Sequence, residues 1–512
     1  MNISTAMPLA AFKELRALAV PALACLACMI VPALIDAHRF LGGISILAYF
    51  LGTAGLGALS MGHEYSGRTL SLLLSLPVSR ARLLAVKLGA LAAILAPLWL
   101  VARSLFEAVP VPLPEQSAFA VLPILCGLFL APSLTMAFRN PIAGAVFTVA
   151  IPATLLAAGE LIGIARYGVA DGMQAFRLEF VWFGTLGFCA IGSVMNWWMF
   201  AGLEAIEGPH HDVRVPHWVR VPNVVGRAAP EVARRNPVWL LIKKELRLQH
   251  LPFTLAALCA AVWVVAASST ALLSDMTYSS ALAVTSVLYP ALVSILIGSS
   301  ASAVERQMGT LHCQVLLPMA ASRQWAIKVI VVFGLAMMLG LGVPALLEST
   351  GSLLREVDAT MRLPVKPGIA MIAVLAAGSM YVSTLCRSGL WALIMSMPAV
   401  VGATMFLRLA SEWTSAMSIF AAEHLARWMP PAGPGTVVQQ RTVTVLAIML
   451  IGCFIAVLLG FARANHCSAD RAASRLWKQI ILAAAFATAA IMMMATMQAT
   501  FLLRSGRYFS PF

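Results

Sequence analysis

The chain has 512 residues, of which 61% are hydrophobic and 11% are charged, and its formal net charge is +14. Soluble domains carry about 25% charged residues, so this composition excludes a soluble globular protein and requires lipid to face much of the chain. The 9 cysteines are odd in number and lie mostly in apolar runs, which indicates packing residues rather than disulfides or a metal site.

Apolar runs of about 20 residues, the length that crosses a bilayer, recur along the chain. The first group comprises the candidate spans 17–36, 41–62, 83–106, 117–137, 141–162 and 180–202. The second comprises 253–273, 282–303, 325–347, 369–386, 389–407 and 443–462, and one more span follows at 479–503. Backbone polar groups in lipid must be satisfied within each segment. We therefore predict an all-α integral membrane protein with about 12–13 transmembrane helices.

The distribution of charge predicts the orientation of these spans. With a cytoplasmic N-terminus, the cytoplasmic pieces are 1–16, 63–82 (counted with Lys87), 138–140, 203–252, 304–328, 387–388 and 463–478. They carry 23 of the 35 Lys and Arg residues but only 9 of the 21 Asp and Glu residues. The remainder of the chain is charge-neutral, as the excess of basic residues in cytoplasmic loops leads us to expect.

Two motifs occur once in each group of spans. K-E-L-R occurs at Lys13-Glu14-Leu15-Arg16 and again, 231 residues later, at Lys244-Glu245-Leu246-Arg247, and Pro21 and Pro252 follow at the same distance. A longer motif lies between the second and third spans of each group, with a constant shift of 241 residues. Its copies are Glu64, Thr69, Leu70, Leu76, Pro77, Arg82 and Lys87, and Glu305, Thr310, Leu311, Leu317, Pro318, Arg323 and Lys328. An internal repeat of six spans gives both copies the same orientation, so we predict two parallel six-helix repeats.

Domain boundaries follow from this repeat. We predict a first six-span half over 1–203, a proline-rich cytoplasmic linker over 204–236, a second half over 237–466 and an extra C-terminal helix over 467–512. His210 and His211 in the linker have no acidic or cysteine partner at ligand spacing, so they do not predict a metal site.

The segment before each first span is predicted to lie flat on the membrane surface. In the second copy an apolar stripe and a basic face alternate at helical spacing, formed by Trp239, Ile242 and Leu246 and by Lys243, Arg247 and His250. Such a helix binds the lipid interface, and the following proline lets the chain turn into the bilayer. The alternative is a simple membrane anchor without a further role.

The first cytoplasmic loop contains a short apolar segment that ends at a proline. Leu70, Leu73, Leu74 and Leu76 precede Pro77, which predicts a short helix. An exposed apolar helix needs a partner to cover it. Since the second copy has the same pattern, we expect a partner with two matching sites.

These residues carry a resemblance to a known family. The stretch from Glu64 to Lys87, E-Y-S-G-R-T-L-S-L-L-L-S-L-P-V-S-R-A-R-L-L-A-V-K, resembles the cytoplasmic loop of ABC transporter permeases of the type-2 exporter class. The K-E-L-R segment resembles the elbow helix of that class, in which a half-transporter has an elbow helix and six spans. The resemblance covers about residues 8–464 and implies two half-permeases fused in one chain, in the bacterial cytoplasmic membrane.

The resemblance also implies roles for the repeated residues. The loops would carry the coupling helices that rest on two ATPase subunits, through Glu64, Thr69, Leu76, Pro77 and Arg82 and through Glu305, Thr310, Leu317, Pro318 and Arg323. The elbow helices would include Lys13, Glu14, Arg16, Lys244, Glu245 and Arg247.

The chain departs from the family pattern in two further places. Gln307, Met308 and Gly309 replace Ser66, Gly67 and Arg68, so the halves are expected to couple differently. The span at 479–503 has no counterpart in a six-span plan.

Several motifs that would indicate an enzyme are missing. The sequence has no G-x-x-x-x-G-K-[ST] phosphate loop, so we expect no bound cofactor in this chain and ATP hydrolysis on a separate subunit. His63-Glu64 does not continue as H-E-x-x-H, because Gly67 stands in place of the second histidine.

We therefore expect the permease subunit of an ATP-driven exporter rather than an enzyme. Its expected partners are ABC ATPase subunits, membrane lipid and an unknown substrate, and not nucleic acid. The main alternative is an ion-coupled secondary transporter with two parallel six-span repeats. A weaker one is a non-transporting membrane scaffold or enzyme subunit.

Overall fold

The structure is a computed structural model. It describes residues 3–35, 40–67, 69, 78–108, 116–152, 155, 175–202, 237–268, 289–310, 319–352, 365–386, 388–402, 436–466 and 472–504. Within these ranges every regular element is a helix and none is a strand. The predicted all-α fold class is confirmed at this level.

Contacts divide the chain into two compact units. The first contains residues 1–278 and 312–331, and the second contains residues 279–311 and 332–512. This division reflects contacts within the folded chain, whereas the domain boundaries inferred above come from the repeat. Those boundaries stay a prediction.

Most helices of the first unit form one packed group. They are α1 (Ile3–Ile35), α2 (Phe40–Gly67), α3 (Arg80–Ala108), α4 (Gln116–Leu125), a π-helical turn (Cys126–Leu130), α5 (Ala131–Phe138), α6 (Pro141–Pro152), α7 (Ala175–Ala201), α8 (Pro237–Leu248) and α9 (His250–Ser268). Helix α1 packs along both α2 and α3, and α2 packs against the π-helical turn and α5.

The second unit contains the remaining helices. They are α10 (Tyr289–Met308), α11 (Ala321–Met337), a π-helical turn (Met338–Gly342), α12 (Val343–Ser352), α13 (Val365–Leu385), α14 (Gly389–Gly402), α15 (Thr436–His466) and α16 (Ala472–Arg504). The first residues of α11, up to Val331, belong to the first unit. Helix α10 packs on α13, α13 on α15, and α15 on α16.

The helices are long and apolar enough for a membrane. Six stretches of described helix meet this criterion: Ala11–Pro32, Arg80–Leu105, Ala120–Phe138, Ala321–Leu347, Gly368–Leu385 and Ile448–His466. Large apolar side chains such as Phe183 and Trp198, each 74% exposed, point away from the protein. Lipid would remove these side chains from water, so the fold fits a multi-pass membrane protein.

Close helix packing depends on glycine at two positions related by the 241-residue shift. A Cβ atom on Gly57 would lie 2.7 Å from the Cβ of Ala131, and one on Gly298 would lie 2.7 Å from the carbonyl oxygen of Ala376. Both distances are too short for a real side chain. Small residues therefore let α2 approach α5, and α10 approach α13, as is common between membrane helices.

The predicted elbow is a separate helix in one copy only. In the first copy α1 continues from Ile3 to Ile35 through Pro21, so no turn separates the K-E-L-R segment from the first span. In the second copy α8 ends at Leu248, Gln249 forms a turn, and Pro252 lies in the first turn of α9. Proline is tolerated inside membrane helices because neighbouring groups satisfy the freed carbonyl, so Pro21 alone does not force a turn.

The extra helix α16 is joined to the second unit by a polar contact. The amides of Asn465 on α15 and Gln479 on α16 exchange two hydrogen bonds, of 3.0 and 3.1 Å, and Tyr381 Oη donates to Gln479 Oε1 at 2.9 Å. Buried side-chain amides outside water need such partners. The last predicted span is therefore packed as part of this unit.

Candidate functional site

The structure places the repeated loop residues at the ends of helices. Glu64 lies near the end of α2 and Glu305 near the end of α10, and both are buried. Arg82 and Arg323 lie in the first turns of α3 and α11, where both are exposed. Leu76, Pro77, Leu317 and Pro318 lie outside the described residues, as does the short apolar segment at Leu70–Leu74.

The spacing between glutamate and threonine, which is the same in both copies of the motif, has a structural cause. In the second copy the Thr310 N–H donates to the Glu305 carbonyl at 3.0 Å, and the Gly309 N–H donates to Arg306 at 3.1 Å. Gly309 has a positive φ of 71°. These features define a Schellman C-cap. In the first copy the Thr69 N–H likewise donates to the Glu64 carbonyl, at 3.1 Å, so both helices end with the same long backbone hydrogen bond.

Repeated residues from three helices meet in the first unit. Lys87 on α3 places its Nζ 2.6 Å from Glu14 Oε1 on α1 and 3.3 Å from Glu64 Oε1 on α2. The side chains of Glu14, Glu64 and Lys87 are 4%, 2% and 2% exposed. We call Glu14, His63, Glu64 and Lys87 the first ion cluster. It joins the K-E-L-R segment to α2 and α3, the two helices on either side of residues 68–79.

His63 completes this cluster. Its Nε2 lies 3.4 Å from Glu14 Oε2 and 3.2 Å from Glu64 Oε1, and its Nδ1 lies 2.9 Å from the Leu59 carbonyl oxygen. At the solvent side, Lys13 Nζ lies 3.1 Å from Glu64 Oε1, with its side chain 53% exposed. The Thr69 hydroxyl also donates to Glu64 Oε2.

The ion pairs shift the protonation of the two groups that lie beyond the second span. Burial opposes charge on His63, but contacts with Glu14 and Glu64 outweigh it and raise the pKa of His63 to about 9. Burial also opposes charge on Glu64, but His63 and Lys87 outweigh it and hold the pKa of that carboxyl well below its usual range. Both groups are therefore charged at neutral pH.

The second copy repeats part of this arrangement. Lys328 Nζ lies 3.6 Å from Glu245 Oε1, and Lys244 Nζ lies 3.8 Å from the same atom. Glu245 and Lys328 are each 2% exposed and Glu305 is fully buried. Val304 stands at the position of His63. The repeated lysine and K-E-L-R glutamate thus pair in both copies, but the histidine is found in the first alone.

Arg306 holds the end of α10 in the second unit. Its guanidinium donates to the carbonyl oxygens of Thr384 and Cys386 at the end of α13, and to those of Asn465 and His466 at the end of α15. The carbonyls that end a helix lack intrahelical partners and attract a cation. Tyr65 occupies the corresponding position in the first copy.

Glu14, His63 and Glu64 bring three possible metal ligands within 4.8 Å of one another. Lys87 argues against a metal ion between these three side chains. Its ammonium contacts both carboxylates and already supplies positive charge, so a divalent cation would add excess positive charge to a buried site.

The elbow residues divide between inward and outward faces. Glu14 and Glu245 are buried, whereas Lys13, Arg16 and Arg247 are exposed. Lys244 is half-buried. The sequence identified Glu14, Glu64 and Lys87 of the ion cluster but not His63, and it assigned Glu64 and Glu305 to a surface contact. The signal available in the sequence was the repeat of opposite charges. Each copy has a K-E-L-R glutamate and one lysine, which is the eighth residue of a later helix.

No protein-family model, curated protein or solved structure matches this chain. The site must therefore be interpreted from its own geometry.

Proposed function

We propose that this chain is the membrane-spanning permease subunit of an ATP-driven exporter of the type-2 ABC class, with two parallel six-helix repeats in one chain. Separate ATPase subunits would hydrolyse ATP and rest on the two loops after α2 and α10. The N-terminus and both loops would face the cytoplasm of a bacterium.

The observation that carries this proposal is the position of the first ion cluster. The segment between Gly67 and Arg80 leaves α2 and enters α3, and the cluster joins the ends of both helices to α1. A partner that pushes on this segment would therefore move three helices together rather than bend one loop. Such a connection would let an external ATPase act on a membrane pathway.

The second copy supports the same role through different contacts. Arg306, one residue after Glu305, joins the end of α10 to the ends of α13 and α15. Force applied just beyond Thr310 would reach two further helices of the second unit. Each loop thus begins at a helix end that is held by charged side chains, although the two sets of contacts differ.

The first experiment identifies the partner. The tagged chain is purified in mild detergent and the proteins that accompany it are identified by mass spectrometry. We expect an ATPase that contains a phosphate-binding loop, and we expect it to be lost when residues 70–77 are scrambled. Scrambling residues 353–360, of equal length and predicted to lie on the outer side, should leave it bound.

Substitutions for the coupling test should avoid the buried cluster. Glu64→Lys would place a second ammonium beside Lys87 and disturb the fold. The exposed Arg82→Glu and Arg323→Glu should instead weaken the ATPase contact while the protein inserts and purifies normally. Unchanged ATPase recovery with both variants would contradict the proposed contact.

One observation, the presence of buried titratable groups, favours the alternative function, an ion-coupled secondary transporter. His63, with two carboxylates and a lysine, is the type of cluster that proton-coupled transporters use. In that case transport would stop with a protonophore and survive ATP depletion. The exporter predicts the opposite pair of results, and a nucleotide-binding partner would be missing in every detergent if the secondary transporter were correct.

A further inference from the structure

The repeat provides an internal comparison for His63. Glu14, Glu64 and Lys87 have counterparts at Glu245, Glu305 and Lys328, but the position of His63 is Val304 in the second copy. An extra imidazole among otherwise repeated charges adds a group that the shared architecture does not require.

The hydrogen-bond geometry determines the protonation state of this imidazole. Its Nδ1 lies 2.9 Å from the Leu59 carbonyl oxygen, which only accepts hydrogen bonds, so Nδ1 carries a hydrogen. Its Nε2 faces Glu14 Oε2 and Glu64 Oε1 at 3.4 and 3.2 Å. A neutral ring would point a lone pair at two carboxylates. A second proton on Nε2 converts both contacts into ion pairs.

The charge balance of the surrounding helices leads to the same assignment. The charged groups that face His63 are Glu14 and the exposed Lys13 from α1, Glu64 from α2 and Lys87 from α3. With His63 protonated, the four groups of the buried cluster carry two negative and two positive charges. With a neutral histidine, the second carboxylate is matched only by Lys13, whose side chain is 53% exposed and screened by solvent. A divalent metal leaves excess positive charge.

We propose that the first ion cluster is a binding site for one proton, held on His63 Nε2 between Glu14 and Glu64, and that separation of α1 from α2 releases this proton. Moving Glu14 away removes one of the two carboxylates that hold the proton. By reciprocity, conditions that remove the proton favour separation. The second copy has Val304 in place of this histidine, so we expect the two halves of the chain to differ in their sensitivity to pH.

The test measures His63 directly in the full-length protein purified in detergent. Diethylpyrocarbonate modifies neutral histidine and not the protonated form, and mass spectrometry of peptides gives the rate for each histidine as a function of pH. We expect the midpoint for His63 near pH 9, about 2.5 pH units above the ordinary histidine value of about 6.5. Glu14→Gln should lower the midpoint of His63 toward that ordinary value.

A second measurement distinguishes binding of a proton from simple inaccessibility. Thermal unfolding of wild type and His63→Val is recorded from pH 6.5 to 9.5. We expect a loss of stability across this range in wild type that is absent in His63→Val, the residue found in the second copy.

Three results would overturn the proposal. The first is a His63 midpoint near the ordinary histidine value of about 6.5, and the second is equal pH dependence in wild type and His63→Val. The third is stabilisation by added Zn²⁺ that disappears in His63→Val, which would make a metal the occupant. None of these measurements requires the ATPase or a substrate. A negative result would therefore rule out the proton site without deciding the proposed transport function, which the search for an ATPase partner tests.

Discussion

Lys87→Met tests whether the first ion cluster holds the first unit together. The substitution keeps most of the side-chain volume but removes the ammonium that lies 2.6 Å from Glu14 and 3.3 Å from Glu64. Removing one partner from a buried ion pair leaves an uncompensated charge and costs about 3–5 kcal/mol. Because Lys87 serves two carboxylates and is 2% exposed, we expect the loss to fall in that range.

Lys13→Met provides the matched control. Lys13 contacts the same Glu64 oxygen at 3.1 Å, but its side chain is 53% exposed, so solvent screens the pair and the expected cost is about 0.2–1 kcal/mol. The free energy of unfolding is measured by titration with a denaturing detergent at neutral pH. Adding Glu14→Gln to Lys87→Met should recover part of the loss, since one unpaired carboxylate is removed. Equal destabilisation by Lys87→Met and Lys13→Met would refute the reasoning.

Three further substitutions test the packing and the caps. Gly298→Val should destabilise the second unit by about 1–3 kcal/mol in the same unfolding assay, because a Cβ would lie 2.7 Å from a carbonyl oxygen of α13. Gly334→Val is the control: a Cβ there meets nothing within 4 Å, so the substitution should have little effect on packing. Gly309→Val should cost about 1–2 kcal/mol, since φ is 71° there; an unchanged unfolding midpoint would contradict the Schellman cap. Arg306→Lys keeps the charge but loses the planar set of donors that reaches two helix ends. It should speed amide hydrogen exchange near Cys386 and Asn465. Unchanged exchange would mean that Arg306 does not hold these helix ends.

The helical architecture was largely predictable from sequence because lipid imposes one simple rule. Each candidate span overlaps described helix, from 17–35 in α1 to 479–503 in α16, and parts of several spans lie outside the described residues. The predicted bend at Pro21 was wrong for the first copy. A membrane helix can continue through proline when nearby groups satisfy the backbone, and hydrophobic pattern does not contain that information.

The site was predicted in composition but not in geometry. The shift of 241 residues identified Glu64, Lys87 and their counterparts, because charged residues in repeated positions are informative in an apolar chain. It did not indicate that Glu64 faces α1 and Lys87 rather than a partner protein. The direction of a side chain depends on how helices far apart in sequence pack, and His63 had no counterpart in the repeat to draw attention to it.

The pH dependence of stability gives the first cluster a quantitative signature. The pKa of His63 rises from an ordinary value of 6.5 to about 9 in the folded protein. A group with a raised pKa contributes stability that is complete below pH 6.5 and is lost as pH rises through 9. This shift corresponds to about 3 kcal/mol, a usable upper figure because the side chain is only 16% exposed.

The pKa of Glu64 is lowered, so its contribution is lost on the acidic side, as pH falls below about 4.5. Stability in the denaturing-detergent titration should therefore be highest near pH 5–6.5 and decline on both sides. Stability that stays level between pH 6.5 and 9 would mean that His63 is neutral in the folded protein, and that Lys87 and Lys13 balance the two carboxylates without it.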